Sequence, residues 1–214
     1  MSKDVGRLVV LTGLPGSGKT TLATQLTASL PACRMCPDDW MIASGIDLWD
    51  EATRARIEAF QADLSLELLR TGQNVVIEWG LWAREERDAL RNACRTVGAQ
   101  VELHYLAAEV DELWKRVIKR DLEGRWGSRS IRRHELDEWA RQYEPPNDDE
   151  LRTYDSYAIH DTSRQWSRAQ TIERTMSEVG TWRGGQADEN LPPSPARLTP
   201  LREVATLWRP DHVL

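Results

Sequence analysis

A glycine-rich segment near the start of the chain carries residues whose types and spacing suit phosphate chemistry. It runs Gly13-Leu-Pro-Gly-Ser-Gly-Lys-Thr20 and matches the pattern G-x-x-x-x-G-K-[ST]. Glycines there let backbone N–H groups turn inward around a polyphosphate, and a following helix adds positive dipole. Lys19 would reach the β- and γ-phosphates, and the Thr20 hydroxyl would ligate Mg²⁺. The alternative, a tight turn that binds nothing, is disfavoured because an apolar strand and a leucine-striped helix flank the segment.

Two carboxylates follow the second predicted strand, residues 33–36, in the sequence Pro37-Asp38-Asp39. Ligands of an open parallel sheet lie outside the carboxyl ends of its strands. A carboxylate at that place can accept the proton of an attacking hydroxyl, which is the base role in phosphoryl transfer. The alternative is that Asp38 or Asp39 only caps the next helix, a common use of aspartate. The position of the two aspartates after the end of a strand favours the catalytic interpretation.

Glu78 closes the third predicted strand and is the candidate for the Mg²⁺ shell, directly or through water. A carboxylate on a buried strand needs a partner, which supports that role. The alternative is a glutamate that reaches solvent past the edge of the sheet.

Cys33 and Cys36 lie on a strand, where residues three apart point to opposite faces, so they do not suit shared metal ligation. The four histidines are scattered and show no ligand spacing.

A basic stretch covers residues 115–135, with eight Lys or Arg residues against three acidic ones. Arg116 and Arg120 are four residues apart and share a helix face. Arg125 follows within Gly124-Arg-Trp-Gly127, whose glycines permit the movement of a lid. Arginines over a transferring phosphoryl group would stabilise the charge that develops in the transition state. The alternative is an ordinary solvated surface.

Strands and helices alternate along the chain. Apolar runs predict strands at residues 7–11, 33–36, 74–78, 101–105 and 157–160. Helical spacing predicts helices at residues 20–30, 52–71, 83–97, 109–122, 135–143 and 165–179. In two of them the inward stripes would be Ile57, Phe60, Leu64 and Leu68, and Val110, Leu113, Val117 and Ile118. Val101, Leu103 and Tyr105 alternate with polar residues in the fourth strand. This order predicts an α/β fold with a parallel sheet covered on both faces.

A change of composition divides the chain into a domain at residues 1–183 and a proline-rich linker and tail at residues 184–214.

The net charge of −6 disfavours binding to nucleic acid. No apolar run is long enough to span a membrane, and the short polar start argues against a secretory signal. Three cysteines without a disulfide pattern suit a reducing cytoplasm. Some of the ten tryptophans would line a ligand cavity, although core packing explains most of them.

With these motifs in view, the chain resembles the zeta-toxin-like P-loop kinases of the AAA_33 type, whose relatives include chloramphenicol phosphotransferases and the kinase half of polynucleotide kinases. The resemblance covers residues 7–162 and rests on four motifs: the glycine-rich segment, Asp38-Asp39-Trp40, Val75-Val-Ile-Glu-Trp79, and the three arginines before Tyr143-Glu-Pro-Pro146. It implies a P-loop NTPase fold with a five-stranded parallel sheet and a helical lid. It also implies an aspartate base after the second strand, which Asp38 matches better than Asp39, and lid arginines after the fourth.

The sequence departs from the family pattern at two places. Many relatives have aspartate at the position of Glu78, and this difference bears on how the carboxylate would contact Mg²⁺. No arginine closely follows Asp38, whereas polynucleotide kinases usually have one that meets the acceptor phosphate. Trp40 occupies that neighbourhood, which favours a non-phosphorylated organic acceptor.

We therefore expect an ATP- and Mg²⁺-dependent kinase that phosphorylates a hydroxyl of a small molecule. The alternatives are a kinase of nucleotides or nucleic-acid ends and a nucleotide-binding protein that is not a kinase. The expected catalytic residues are Lys19, Asp38, Arg120 and Arg125, and the metal residues are Thr20 and Glu78. The expected nucleotide contacts are Gly13, Pro15, Gly16, Ser17, Gly18, Lys19, Thr20, Thr21, Arg116 and Arg120, and the acceptor contacts are Asp39, Trp40, Trp79 and Trp82.

Overall fold

Five parallel strands form the centre of the fold in the order β2-β3-β1-β4-β5. The structure, a computed structural model, describes residues 6–124 and 128–163. The strands are β1 (Arg7–Thr12), β2 (Ala32–Met35), β3 (Asn74–Ile77), β4 (Gln100–Ala107) and β5 (Ser156–Asp161). Each predicted strand starts within one residue of its predicted start, and the predicted five-stranded parallel sheet is confirmed.

Helices connect the strands and cover both faces of the sheet. They are α1 (Lys19–Ser29), α2 (Pro37–Ala43), α3 (Glu51–Arg70), α4 (Arg84–Thr96), α5 (Val110–Leu122), α6 (Arg133–Gln142) and α7 (Asp148–Leu151). The short helices α2 and α7 were not predicted, because segments of seven and four residues carry no helical periodicity. Within the described ranges, no helix has the length and apolar character needed to cross a membrane.

The central strand β1 fixes the register of the sheet. Leu8 pairs with Val75 of β3 on one side and with Val101 of β4 on the other. All three side chains are fully buried, because apolar residues on a central parallel strand are covered on both faces. Parallel strands all end at the same edge of the sheet. The glycine-rich loop after β1, the start of α2 after β2 and Glu78 after β3 therefore meet there.

The fourth and fifth strands correct one expectation, which concerns the histidines. Glu102 and His104 of β4 are both buried. His104 Nδ1 lies 2.8 Å from Nε2 of His160 on β5, and its Nε2 lies 2.5 Å from Oε1 of Glu102. The histidines are therefore not all scattered, as the sequence suggested. The register of β4 on β5 brings two of them together across a sequence separation of 56 residues.

The predicted inward stripes of α3 and α5 are wrong in part. In α3 the buried residues are Glu58, Gln61, Ala62, Ser65, Leu66 and Leu69. Phe60 is 59% exposed and packs on Trp40, with 5.9 Å between ring centroids. The helix carries apolar residues on more than one face, and its polar side lies against the cavity described below, so hydrophobicity alone selects the wrong stripe. In α5, Leu113 and Val117 are buried as predicted, whereas Ile118 is 41% exposed.

Several predicted features lie outside the described residues. They are Arg125 and the glycine at position 127, the helix at residues 165–179, the domain boundary at 183/184 and the tail to residue 214.

Candidate nucleotide and acceptor site

A cavity of about 1180 Å³ opens at the edge of the sheet where the strands end. Pockets for one ligand commonly occupy about 300–1,000 Å³, so this cavity has room for a nucleotide and a second molecule. It is lined by most of the predicted site residues: Pro15, Gly16, Ser17, Gly18, Lys19, Thr20, Thr21, Asp38, Glu78, Trp79, Trp82, Arg116 and Arg120. Gly13, Asp39 and Trp40 are not part of its lining.

The loop between β1 and α1 has the backbone of a phosphate cradle. Gly13 has φ 150° and Gly16 has φ 82°, conformations that favour glycine. A Cβ at position 13 would lie 2.8 Å from the Leu106 carbonyl oxygen, so the loop tolerates no side chain there. The buried hydroxyl of Ser17 has no hydrogen-bond partner among the described residues. A buried donor without a partner is costly, and a phosphate oxygen would satisfy it.

Lys19 begins α1 and turns its ammonium group back over the loop. Nζ donates hydrogen bonds to the carbonyl oxygens of Gly13, at 2.7 Å, and Leu14, at 3.2 Å. Burial lowers the pKa of this lysine to about 8, while the negative charges of Glu78 and Asp38 oppose the shift. Polyphosphate beside the ammonium would stabilise its charged form. The Lys19 ammonium group is therefore already at the loop where a polyphosphate would lie.

Asp38 lies in the first turn of α2 and contributes its carboxylate to the cavity wall. Its Oδ1 accepts a hydrogen bond from Arg54 Nη1 at 2.5 Å, and Arg54 also donates to the Leu48 carbonyl oxygen at 3.0 Å. Asp39 instead points away, with a 54% exposed side chain paired to Arg34 at 2.6 Å. The geometry therefore distinguishes two neighbouring aspartates that the sequence left open. Sequence reasoning missed Arg54, because it reaches Asp38 from a different helix.

Glu78 follows β3 and is buried at the floor of the cavity. Arg34 Nη2 donates to its Oε1, while Oε2 has no nitrogen or oxygen partner among the described residues. Burial, followed by the charge of Glu78, raises the pKa of the neighbouring Cys36 thiol. A free carboxylate oxygen is the kind of ligand that Mg²⁺ takes, usually together with waters and phosphate oxygens. Glu78 and the Thr20 hydroxyl in the same lining thus fit a magnesium ion.

Two arginines of α5 border the phosphate end of the cavity. Arg116 donates to the Gly16 carbonyl oxygen at 3.3 Å, to the Thr162 hydroxyl at 3.2 Å and to the Thr162 carbonyl oxygen. It therefore ties the loop to the residue that follows β5. The charge of Arg120 contributes to the lowered pKa of Lys19, which puts its guanidinium near the loop lysine. Of the predicted lid arginines, Arg116 and Arg120 thus line the cavity.

The loop at residues 80–82 forms another part of the cavity lining and is strained. Leu81 has φ 45°, a left-handed conformation that is unfavourable for leucine. The Thr12 hydroxyl donates to its carbonyl oxygen at 3.1 Å. Arg87 donates to the carbonyl oxygens of Leu81, Trp82 and Glu144 and binds both carboxylate oxygens of Glu150. Such strain costs on the order of 1–3 kcal/mol and persists only where surrounding contacts hold it, as they do here.

Aromatic side chains cover this wall. Trp79 donates its indole N–H to Oε1 of the buried Gln61 at 2.8 Å, which fixes the ring. Trp82 packs on Trp139, with 5.8 Å between centroids, and Trp139 packs on Trp49 at 6.4 Å. Trp79 and Trp82 were predicted from the sequence. Trp49 and Trp139 were missed, because only the fold brings their helices to the strand ends.

The segment after α5 touches the loop between α2 and α3. The Arg129 guanidinium lies 3.5 Å from the ring centroid of Trp49, whose indole N–H donates to the Arg129 carbonyl oxygen at 2.9 Å. The Ser128 N–H donates to Asp47 at 3.3 Å. These contacts join the basic stretch to the aromatic side chains that line the cavity.

Residues 8–146, more than half of the chain, match the family model AAA_33, described as an AAA domain. The chain belongs to this family. The matched range includes the phosphate loop, Asp38, Glu78 and both arginines of α5. The family resemblance stated from the sequence motifs is thereby confirmed.

Solved structures show the same fold in this AAA_33 chain and in known P-loop proteins. A sugar kinase from Janibacter sp. HTCC2649 is 22% identical, with a TM-score of 0.56 over 81% of this chain and 94% of its own. Kti12 of Chaetomium thermophilum, in complex with ADP-AlF3, is 20% identical, with a TM-score of 0.60 over 81% and 100%. The APS kinase CysC of Mycobacterium tuberculosis, with AMPPNP and APS, is 15% identical, with a TM-score of 0.54 over 83% and 99%. No curated protein sequence matches the chain.

The AAA_33 chain therefore has a kinase-like P-loop NTPase fold. Two of these neighbours hold an ATP-type nucleotide or its analogue, which agrees with the cradle after β1.

Proposed function

We propose that this AAA_33 protein transfers the γ-phosphoryl group of ATP to a hydroxyl of a small molecule. The observation that carries the proposal is the position of Asp38, which shares one cavity with Lys19 and the phosphate loop. A P-loop alone serves kinases, hydrolases and switches equally. A carboxylate facing the phosphate end, with room beyond it for a second molecule, is what a kinase requires.

The nucleotide would bind with its phosphates in the loop at residues 13–20. Backbone N–H groups and the start of α1 would hold the phosphate oxygens, and Lys19 would leave the loop carbonyls to meet the β- and γ-phosphates. Glu78 and Thr20 would hold Mg²⁺, which supplies charge neutralisation at the phosphates when bound. Arg116 and Arg120 would add positive charge from the other side.

Asp38 would accept the proton of the attacking hydroxyl. Arg54 supports this role by fixing the carboxylate through Oδ1, which leaves the second oxygen for the acceptor. Proton transfer to a positioned carboxylate contributes about 10²–10⁴-fold to rate. Arg120 would stabilise the charge that develops on the transferring group.

The walls beyond Asp38 favour a small acceptor over a nucleic-acid end. Trp79 and Trp82 form an aromatic surface there, and Glu58 and Glu86 add carboxylates to the lining. Carboxylates repel the phosphates that flank the 5′ end of a polynucleotide. The net charge of −6 acts in the same direction at longer range.

The test is transfer of labelled phosphate from ATP to a panel of hydroxylated metabolites, antibiotics, nucleosides and 5′-hydroxyl oligonucleotides. We expect phosphorylation of a small molecule that Asp38→Asn slows by roughly a hundredfold or more and that Asp39→Asn slows less, because only Asp38 lines the cavity. Preferential labelling of oligonucleotide ends would replace the small-molecule proposal with a polynucleotide kinase. ATP hydrolysis that no acceptor stimulates would indicate a nucleotide-hydrolysing protein instead.

A further inference from the structure

Glu58 is a buried carboxyl group in the cavity that the proposed phosphoryl transfer does not use. It lies on α3, is 7% exposed and lines the same cavity as Asp38 and the tryptophans. Among the described residues it forms no hydrogen bond and no ion pair. A buried carboxyl group without a partner is unfavourable, so a ligand is the natural source of one.

The groups that face Glu58 come from three helices. Arg54 lies one turn earlier on α3, Asp38 belongs to α2 and Glu86 to α4. The pKa of Glu58 is raised to about 8, chiefly by burial; the charge of Arg54 opposes this shift, and the charges of Glu86 and Asp38 add to it. Arg54 is already engaged by Asp38 and by the Leu48 carbonyl oxygen. The environment of Glu58 is therefore short of positive charge.

We propose that Glu58 binds a protonated amino group of the acceptor, so that the substrate is an amine-bearing alcohol such as an amino sugar or aminocyclitol. This inference rests on the proposed kinase function and names the class of its acceptor. The acceptor hydroxyl meets Asp38, and the ammonium group meets the Glu58 carboxylate, with Glu86 as a second negative charge nearby. An acceptor with a carboxylate or phosphate in this position would face three carboxyl groups.

The aromatic wall supports the same chemistry independently of the carboxyl groups. Trp79 is held through its indole N–H by Gln61, the residue three positions after Glu58 on the same helix. A tryptophan face attracts an ammonium group more strongly than other aromatic rings do. Trp82 extends this surface along the cavity lining. A cation between Glu58 and these rings has both a charged and an aromatic partner.

Binding of an amine at Glu58 should release a proton from this carboxyl group. With a pKa near 8, Glu58 is about nine-tenths protonated at pH 7 in the free protein. An ammonium ligand favours the carboxylate, so its binding releases up to about one proton at pH 7. The affinity for the amine then rises by up to about tenfold per pH unit below pH 8. A neutral ligand that accepts a hydrogen bond from the protonated carboxyl group releases none.

The experiment compares amino sugars, aminocyclitols and amino alcohols with their N-acetylated and deaminated counterparts. Phosphate transfer from ATP gives kcat and KM for each pair. Calorimetry in two buffers of different ionisation enthalpy gives the protons released when each compound binds to the protein with a non-hydrolysable ATP analogue. The variants are Glu58→Gln and, as a matched control on the same helix, Glu67→Gln, whose carboxylate is exposed and paired with Arg70 outside the cavity. ATP-analogue binding and circular dichroism show that both variants are folded.

We expect the amine of a pair to have a KM at least tenfold lower than its N-acetylated counterpart in the wild-type protein. Glu58→Gln should raise the KM for the amine roughly tenfold to hundredfold, abolish its proton release and change the neutral compounds little. Glu67→Gln should behave as wild type. Equal or better use of neutral compounds, or an amine preference that survives Glu58→Gln, would overturn the inference and leave the kinase intact. Amine binding with proton release but no phosphorylation would support the subsite and overturn the proposed kinase function, and absence of both would overturn both.

Discussion

Replacement of Arg87 should destabilise the wall of the cavity in a way that depends on Glu150. The two side chains are 0% and 1% exposed, and their contacts measure 2.6 Å from Nε to Oε1 and 2.9 Å from Nη2 to Oε2. The remaining N–H groups of the guanidinium reach three backbone carbonyl oxygens. All five donors of Arg87 are therefore used in the interior.

The expected magnitudes follow from what each change leaves behind. Arg87→Met leaves the Glu150 carboxylate buried without its charge partner, which costs about 3–5 kcal/mol in the free energy of unfolding. Glu150→Gln keeps the volume but removes a charge, at a cost of about 1.5–3 kcal/mol. The double variant leaves no uncompensated charge. Its cost should therefore fall short of the sum of the single costs by about 2 kcal/mol.

Urea unfolding followed by circular dichroism measures the three free energies of unfolding. ATP binding by calorimetry is the control, and it should be unchanged in any variant that is folded at the assay temperature, because Arg87 does not line the cavity. Single-variant costs that simply add in the double variant, within about 0.5 kcal/mol, would refute the coupling. Costs below about 1 kcal/mol for Arg87→Met would show that the guanidinium does not hold the loop at residues 80–82.

Three further outcomes concern the phosphate end. Lys19→Ala should lower the rate of phosphoryl transfer by several orders of magnitude in single-turnover assays. Near-normal turnover in a folded variant would show that the loop at residues 13–20 is not the phosphate-binding loop of the reaction. Asp38→Asn should keep ATP affinity and lower the rate of the chemical step by roughly a hundredfold or more, and Asp39→Asn should lower that rate by less. If rapid-quench measurements show the larger loss in Asp39→Asn, the base is Asp39. ATP affinity should fall as pH rises from 7 to 9, because Lys19 loses its proton near pH 8 in the free protein and phosphate binds its charged form. Calorimetry should show this fall in the wild type and a flat profile in Lys19→Met.

The sequence was most informative where a function is encoded by adjacent residues. The phosphate loop is one contiguous motif between a strand and a helix, so its fold and location followed from pattern alone. The edge of the sheet where Asp38 and Glu78 meet also followed, because parallel strands end together. Both results need only chain order and strand direction.

Pairings between distant segments could not be derived in this way. Arg34 and Arg54 reach the carboxylates from other elements, and nothing in their local sequence marks them as site residues. Glu58 was missed for a different reason: on α3 the stripe with the most apolar residues is not the stripe that faces the cavity. The histidine pair required the register of β4 on β5, which periodicity does not specify. A charged residue on a buried helix face can be recognised as a site residue only when the cavity beside it is known.

The contact between Arg129 and Trp49 gives the protein an optical reporter of its own. Indole emission depends on nearby charge and on water, and here a guanidinium lies 3.5 Å from the ring centroid. A movement of residues 128 and 129 away from the loop at residues 47–49 would remove that charge and admit solvent, shifting the emission of this tryptophan to longer wavelength. A difference spectrum between the wild type and Trp49→Phe isolates the signal from those of the other nine tryptophans. Any ligand whose binding moves residues 128 and 129 can thus be followed in real time without an added dye.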